Sequence, residues 1–84
     1  MSDATIRVLL FSVLRELVGE RELTLALPDP PTGEEVLNRL ETRCPGLAEY
    51  RSVIRLAVNE GYVSEDVELN RGDEIALITP VSGG

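Results

Sequence analysis

Only one stretch of this sequence has the apolar spacing of a long helix, and it lies between strand-like segments. Val36, Leu37 and Leu40 recur at helical spacing and stop before a Pro-Gly pair. The preceding TGEE sequence at 32–35 is typical of a capping box, which starts a helix. A single helix covers only one face of a sheet, and 84 residues are enough for one domain. The pattern therefore predicts a two-layer α+β fold.

Two strands are predicted before this helix. Segment 5–11 (TIRVLLF) has apolar residues on both faces, which favours a central strand covered on two sides. Segment 22–27 (ELTLAL) alternates, which favours a half-buried strand. Between them, residues 12–18 are expected to form a short helix that Ser12 caps and Gly19 ends in the left-handed conformation.

Further strands are predicted after the long helix. Residues 54–59 (IRLAVN) form the third strand and turn into a short segment at Tyr62. Residues 74–79 (EIALIT) form the last strand, and Gly72 supplies the positive φ of the tight turn before it. The single helix leaves one sheet face uncovered, and its apolar side chains are expected to meet a partner.

The order of these elements matches the β-grasp, or ubiquitin-like, fold, in which one main helix covers a mixed sheet. The parallel placement of the first and last strands comes from that family of folds and not from the pattern itself. Pro80 cannot donate to a sheet ladder, so strand pairing should stop there. We therefore predict a β-grasp domain at 1–79 and an extended, flexible Gly-Gly tail at 80–84.

The composition excludes most catalytic chemistry by this chain alone. It has no histidine, all eight bases are arginine, and Cys44 is the only cysteine. An imidazole base, a Schiff-base lysine and a disulfide or cysteine zinc site are therefore excluded, and no metal or stably bound cofactor is expected. The net charge of −7 disfavours nucleic acid and anionic membranes, and it predicts partners that are neutral or basic. No apolar stretch is long enough for an export signal or a membrane span, so the cytoplasm is the expected location.

The C-terminal sequence PVSGG is the feature that points to a function. Two glycines without a Cβ let the chain terminus enter a narrow passage, which suits a reaction at the terminal carboxyl group. Adenylation by ATP would activate this carboxylate, and a sulfur nucleophile could displace AMP to leave a thiocarboxylate on Gly84. Chains also end in glycines that do nothing, but the position after a strand and a proline favours a functional tail.

The sequence resembles the small, sulfur-carrying subunits of molybdopterin synthase, a ubiquitin-like family. The closing segment, with its Gly-Asp turn, strand and PVSGG ending, is the specific part of the match, and the other segments mostly report the fold. The matching segments are IRVLLFSVLRELVG (6–19), TGEEVLNRLETRCP (32–45), LAVNEGYV (56–63) and LNRGDEIALITPVSGG (69–84).

The resemblance implies a sulfur carrier for molybdenum cofactor biosynthesis that is not itself catalytic. A ubiquitin-activating-like enzyme would use ATP to adenylate Gly84, which becomes a thiocarboxylate. The tail would then enter the large synthase subunit, where sulfur is transferred to cyclic pyranopterin monophosphate. The implied assembly is a heterotetramer of two small subunits and a dimer of large ones.

Two groups of residues are candidates for contact with these partners. Inside the large subunit, the expected contacts come from Pro80, Val81, Ser82 and Gly83. On the body of the domain, the candidate docking residues are Phe11, Tyr62, Leu77 and Ile78, with core packing as the alternative for each. Arg15 could reach a partner carboxylate, or it is a solvated surface charge.

Three other functions remain open from the sequence. The same fold and ending serve carriers for thiamine thiazole or cysteine synthesis. A ubiquitin-like protein modifier would instead form an isopeptide bond through Gly84. A plain β-grasp interaction module would need neither glycine of the tail.

Overall fold

The first and last strands lie side by side at the centre of a five-stranded mixed sheet. The computed structural model of the protein describes residues 3–79. The strands are β1 (Ala4–Leu10), β2 (Glu22–Leu27), β3 (Arg55–Val58), β4 (Gly61–Val63) and β5 (Glu74–Ile78). Strands β1 and β5 are parallel, and the other strand pairs are antiparallel in the order β2-β1-β5-β3-β4. This topology confirms the predicted β-grasp sheet.

The main helix, α2 (Gly33–Arg43), starts at the predicted capping sequence. Thr32 Oγ1 accepts a hydrogen bond of 3.1 Å from the backbone N–H of Glu35, which satisfies one free donor of the first turn. A 3₁₀ helix (Pro45–Val53) follows directly, where the sequence pattern predicted no element.

The short helix α1 (Ser12–Val18) ends as predicted but does not begin as predicted. Gly19 has φ 87° and its N–H donates to Arg15 O at 2.8 Å, which closes the helix in the left-handed conformation. The prediction that Ser12 caps the helix is wrong. Ser12 already lies within the first turn with φ 52°, and the capping position falls on Phe11, whose side chain has no acceptor.

The core lies between α2 and one face of the sheet. Alternate residues of β1, β2 and β5 point into it, so each strand buries every second side chain. The prediction that β1 is covered on both faces is wrong. Leu9 points to the face opposite the core and stays partly exposed there. The buried side chains include Ile6, Val8, Leu10, Leu14, Leu25, Leu27, Val36, Leu37, Leu40, Leu47, Ile75 and Leu77.

Arg51 ties the 3₁₀ helix to α2 and to the segment that leads towards β5. Its Nη1 donates to Glu41 Oε2 at 2.6 Å and to Asn38 Oδ1 at 2.9 Å, while its Nη2 donates to Glu65 Oε1 at 3.0 Å. Hydrogen bonds to these two carboxylates raise the pKa of Arg51 above its ordinary value. The charged form of the guanidinium is therefore favoured by the contacts that join these three segments.

The close approach of α2 to the 65–67 segment requires a glycine, so we predict that Gly33→Ala lowers the free energy of unfolding by about 1–3 kcal/mol. A Cβ at Gly33 would lie 2.8 Å from Leu56 Cδ1, in the core, and 3.1 Å from the backbone oxygen of Glu65. Urea unfolding measures the loss. Gly46→Ala is the matched control, because its Cβ would meet only Leu17 Cδ2 at 3.7 Å. Equal stability of the two variants would contradict the prediction.

Candidate functional site

A tight turn fixes the start of β5 against β1. Gly72 has φ 82° as predicted, and its N–H donates to Thr5 O at 2.8 Å. The N–H of Arg7 donates to Asp73 O at 2.9 Å, and Asp73 Oδ2 accepts from the N–H of Asn70 at 2.9 Å. These bonds hold the turn, so the direction in which β5 leaves it is set by β1.

The far end of β5 is where the chain leaves the sheet. The parallel pairing continues as far as Leu10 opposite Leu77, and β5 ends at Ile78. The predicted tail residues Pro80, Val81, Ser82, Gly83 and Gly84 lie outside the described residues. The end of β5, with Phe11 directly after β1, therefore defines the tail exit, a name used below for this edge of the sheet.

The sheet face that α2 leaves uncovered, here called the open face, is apolar near the tail exit. The strand register places Leu9, Ala76, Ala57 and Tyr62 in one row across four strands. Tyr62 is 73% exposed, and the other three are only partly covered. Contiguous apolar surface of this kind is typical of a protein interaction site.

Two depressions meet on this face, and Leu9 and Phe11 line both. The larger has a volume of about 460 Å³ and extends over β5 and β3 to Glu60 in the β3–β4 turn. The smaller, of about 370 Å³, extends towards α1 and is lined by Arg15 and Arg21. Because Leu9 and Phe11 line both, the two depressions are adjacent, and side chains of a partner could fit into them.

The structure brings three of the four predicted docking residues to the open face and places the fourth elsewhere. Phe11 is 44% exposed, Tyr62 projects from β4, and Ile78 lines the larger depression. Leu77 is fully buried, because it points to the α2 side of the strand, and it is therefore a core residue that offers no docking surface. The prediction that Leu77 is a docking residue is therefore wrong.

Leu9, Ala57 and Ala76 belong to the same surface but were not among the predicted docking residues. The alternation along segment 5–11 does place Leu9 on the face opposite Ile6 and Val8. Alternation along β5 likewise places Ala76 on the face of Ile78, although a small apolar residue is a weak signal by itself. The register aligns both alanines with Leu9 and Tyr62.

An ion-pair group lies on the open face, and its Glu22 also lines the smaller depression with Phe11, Arg15 and Arg21. Arg7 Nη2 is 2.8 Å from Glu22 Oε2, and Arg7 Nη1 is 3.0 Å from Glu74 Oε2. Contact with Glu22, and secondarily Glu74, raises the pKa of Arg7. Each pair is exposed, so its contribution to stability is small, but both carboxylates are occupied by one guanidinium.

The described residues do not assemble a metal site or a membrane span. Within 3–79, no group of three or more cysteine, aspartate or glutamate side chains is placed to hold a metal ion. Over the same residues, no helix combines the length and the apolar character needed to cross a bilayer. The thiol of Cys44, at the end of α2, donates a hydrogen bond of 3.4 Å to Leu17 O.

Comparison with protein families and curated proteins gives a consistent result over nearly the whole chain. The model of the ThiS family matches residues 8–84. The molybdopterin synthase sulfur carrier subunit of Arabidopsis thaliana is 42% identical over 83 residues, which cover 99% of this chain and 86% of the relative. The subunit of the same name from Homo sapiens is 39% identical over 82 residues, with 94% and 93% covered.

Solved structures show the same fold in carriers and modifiers. A putative molybdopterin converting factor, subunit 1, from Pyrococcus furiosus has a TM-score of 0.83 at 27% identity, with 93% of this chain and 99% of that chain covered. The small archaeal modifier protein 1 from Methanosarcina acetivorans has a TM-score of 0.81 at 27% identity, and both chains are covered completely.

Proposed function

The chain belongs to the ThiS family, and from this membership we propose that it is the sulfur carrier of molybdopterin synthesis, with Gly84 as the carrying residue. Two relatives that are 42% and 39% identical over nearly their full length are named as this subunit. The single observation that supports the proposal best is the position of the tail exit. Strand β5 ends at Ile78 beside the apolar part of the open face, and PVSGG follows.

A partner that holds the open face would receive the tail in a fixed direction. The five residues 80–84 can reach at most about 17 Å, so the reacting group must enter a site within that distance of the tail exit. Phe11, Tyr62 and Ile78 supply the apolar contacts that would fix this distance. The domain thus positions the tail, and the partner supplies the catalytic groups.

The chemistry proceeds at the terminal carboxyl group in two displacements. A carboxylate oxygen of Gly84 attacks the α-phosphorus of ATP and pyrophosphate leaves, which gives an acyl adenylate. Sulfide from the sulfur source then attacks the acyl carbon, AMP leaves and a proton is released, which gives the thiocarboxylate. An adenylating enzyme of the ubiquitin-activating type would supply ATP and the catalytic groups.

The loaded tail would then enter the large subunit of molybdopterin synthase and transfer sulfur to cyclic pyranopterin monophosphate. We propose a heterotetramer of two carriers and a dimer of large subunits, located in the cytoplasm. This function does not require binding to nucleic acids, and the net charge of −7 disfavours such binding.

Intact mass spectrometry tests this proposal directly. After incubation with the adenylating enzyme, ATP and a sulfur source, the chain should gain the mass of one sulfur in place of one oxygen, and fragmentation should localise the change to Gly84. Omission of ATP is the control and should leave the mass unchanged. An adenylating enzyme that is active on another carrier yet leaves this chain unmodified would contradict the proposal.

A protein modifier is the second candidate, because a small archaeal modifier protein has the same fold at a TM-score of 0.81. This chain has no lysine, so it could not form side-chain-linked chains of itself, but it could modify other proteins. Immunoblots of cells with isopeptidases blocked distinguish the two functions. A carrier gives only the free small species, whereas a modifier gives a ladder of larger conjugates.

The other candidates share the fold and differ in what they serve. A carrier for thiamine thiazole or cysteine synthesis would co-purify with an enzyme of that pathway rather than with the large synthase subunit. A plain interaction module would stay functional after deletion of Gly83 and Gly84. The names of the relatives favour the molybdopterin pathway over both.

A further inference from the structure

Five of the eight arginines are held by groups of the chain itself. Four form ion pairs with carboxylates of the body: Arg7 with Glu22 and Glu74, Arg43 with Glu20, Arg51 with Glu41 and Glu65, and Arg71 with Asp29. Arg39 donates to the backbone oxygen of Ala26 at 3.2 Å. In a chain with 15 acidic residues, such pairing is the expected state of an arginine.

The remaining three arginines, Arg15, Arg21 and Arg55, have no hydrogen-bond or ion-pair partner within residues 3–79. They are all exposed, and all lie near the tail exit. Arg15 and Arg21 line the smaller depression with Phe11. Arg55 is directly opposite Ile78 in the pairing of β3 with β5. We call these three residues the exit collar.

Acidic groups on the open face lie away from the exit collar or are already occupied. Glu22 lines the smaller depression beside Arg15 and Arg21, but its carboxylate, like that of Glu74, is bound to Arg7. Glu60 lies in the β3–β4 turn, at the opposite end of the larger depression from Arg55. The tail exit is therefore the basic end of a face that belongs to an acidic protein.

We propose that the exit collar docks against carboxylates on the surface of the large synthase subunit, around the entrance that receives the tail. This inference rests on the proposed function and adds the chemistry of the partner. Three unpaired cations around an apolar patch fit an apolar surface ringed by acids, because each guanidinium then gains a partner without breaking an internal pair.

The collar also fixes the orientation in which the two proteins meet. The chain carries a net charge of −7, so an acidic partner surface is repelled by most of the domain. It is attracted only where the free cations are, which is where the tail leaves the sheet. Net charge alone predicts a basic partner, whereas the distribution of free charge predicts an acidic one at this edge.

Association kinetics with the large subunit of the same organism test the proposal. The variant R15Q/R21Q/R55Q should associate about tenfold more slowly than the wild type at low salt, and the difference should disappear at high salt. The control R39Q/R43Q/R71Q loses the same charge from exposed arginines that groups of the body already hold, and its association rate should change little. Thermal melting verifies that both variants are folded.

Three outcomes would overturn the proposal. The collar variant could associate as fast as the control, it could associate faster than the wild type, which indicates a basic partner surface, or the wild type could fail to bind. Loading of wild-type Gly84 is measured in the same preparation by intact mass. Normal loading together with an unaffected collar variant removes the collar proposal alone, whereas absence of loading removes the proposed function itself.

Discussion

A chain extended by one alanine beyond Gly84 is expected to lose sulfur loading by at least about 100-fold while its fold is unchanged. The added residue moves the carboxyl group by about 3.3–3.6 Å along the tail. Displacement of a reacting group by even 1 Å can cost about 100-fold in rate, because the group no longer meets its catalytic partners. The body of the domain, which ends at β5, does not sense the change.

The measurement is intact mass spectrometry over a time course with the adenylating enzyme, ATP and the sulfur source. One alanine added at the N-terminus is the matched control, because it changes length and mass equally but leaves Gly84 terminal. The melting temperature should agree among the three chains. Normal loading of the C-terminally extended chain would show that the position of the terminal carboxyl group does not matter, which would refute the proposed function.

The second large effect separates two neighbouring residues of β5. Leu77→Ala is expected to lower the free energy of unfolding by about 2–5 kcal/mol, because it leaves a cavity at a fully buried position. Ile78→Ala should cost less than about 1 kcal/mol, because its side chain lies on the open face. The binding effects should be reversed, with Ile78→Ala weakening the complex with the large subunit by about tenfold.

Urea unfolding and titration calorimetry measure these two quantities on the same preparations. Each variant serves as the control of the other, since both remove aliphatic carbons from one strand. Binding of Leu77→Ala is measured at a temperature at which circular dichroism shows the variant folded. Unchanged affinity of Ile78→Ala would remove the end of β5 from the docking surface, and a mild effect of Leu77→Ala on stability would contradict its role in the core.

The elements that follow from local chemistry were predicted from the sequence. Thr32 precedes an acidic first turn and caps α2, and Gly19 and Gly72 adopt positive φ where the chain turns. The boundaries of the predicted strands differ from the observed ones by only a residue or two. Local hydrogen bonding and backbone sterics decide these features, and both are encoded in adjacent residues.

Features that depend on tertiary packing were not predicted. The alternation of side chains along EIALIT places Leu77 and Ile78 on opposite faces of the sheet. Only the position of α2 decides which of these faces is the core. Ser12 has the right chemistry for a cap, but the path from β1 moves it into the first turn. The 3₁₀ helix at Pro45–Val53 lacks strong periodicity and is held by packing and by Arg51.

The identity of the free arginines could not be derived from the sequence either. Arg7 and Arg55 occupy similar exposed positions in their strands. The folded sheet places Arg7 next to two carboxylates, whereas it places Arg55 opposite Ile78. Charge counting therefore predicts the net charge of the whole protein and not which charges are unpaired at the tail exit. Pairing in three dimensions decides which charges are available to a partner.

The placement of β5 has a consequence for biosynthesis. Two hairpins, β1–β2 and β3–β4, are made earlier on the ribosome, and within the sheet only β5 connects them. A nascent chain that stops before Glu74 therefore holds two separate hairpins with unpaired edges, which are marginal in water. The sheet closes only after the final strand has been translated, so a chain that lacks β5 cannot complete its fold.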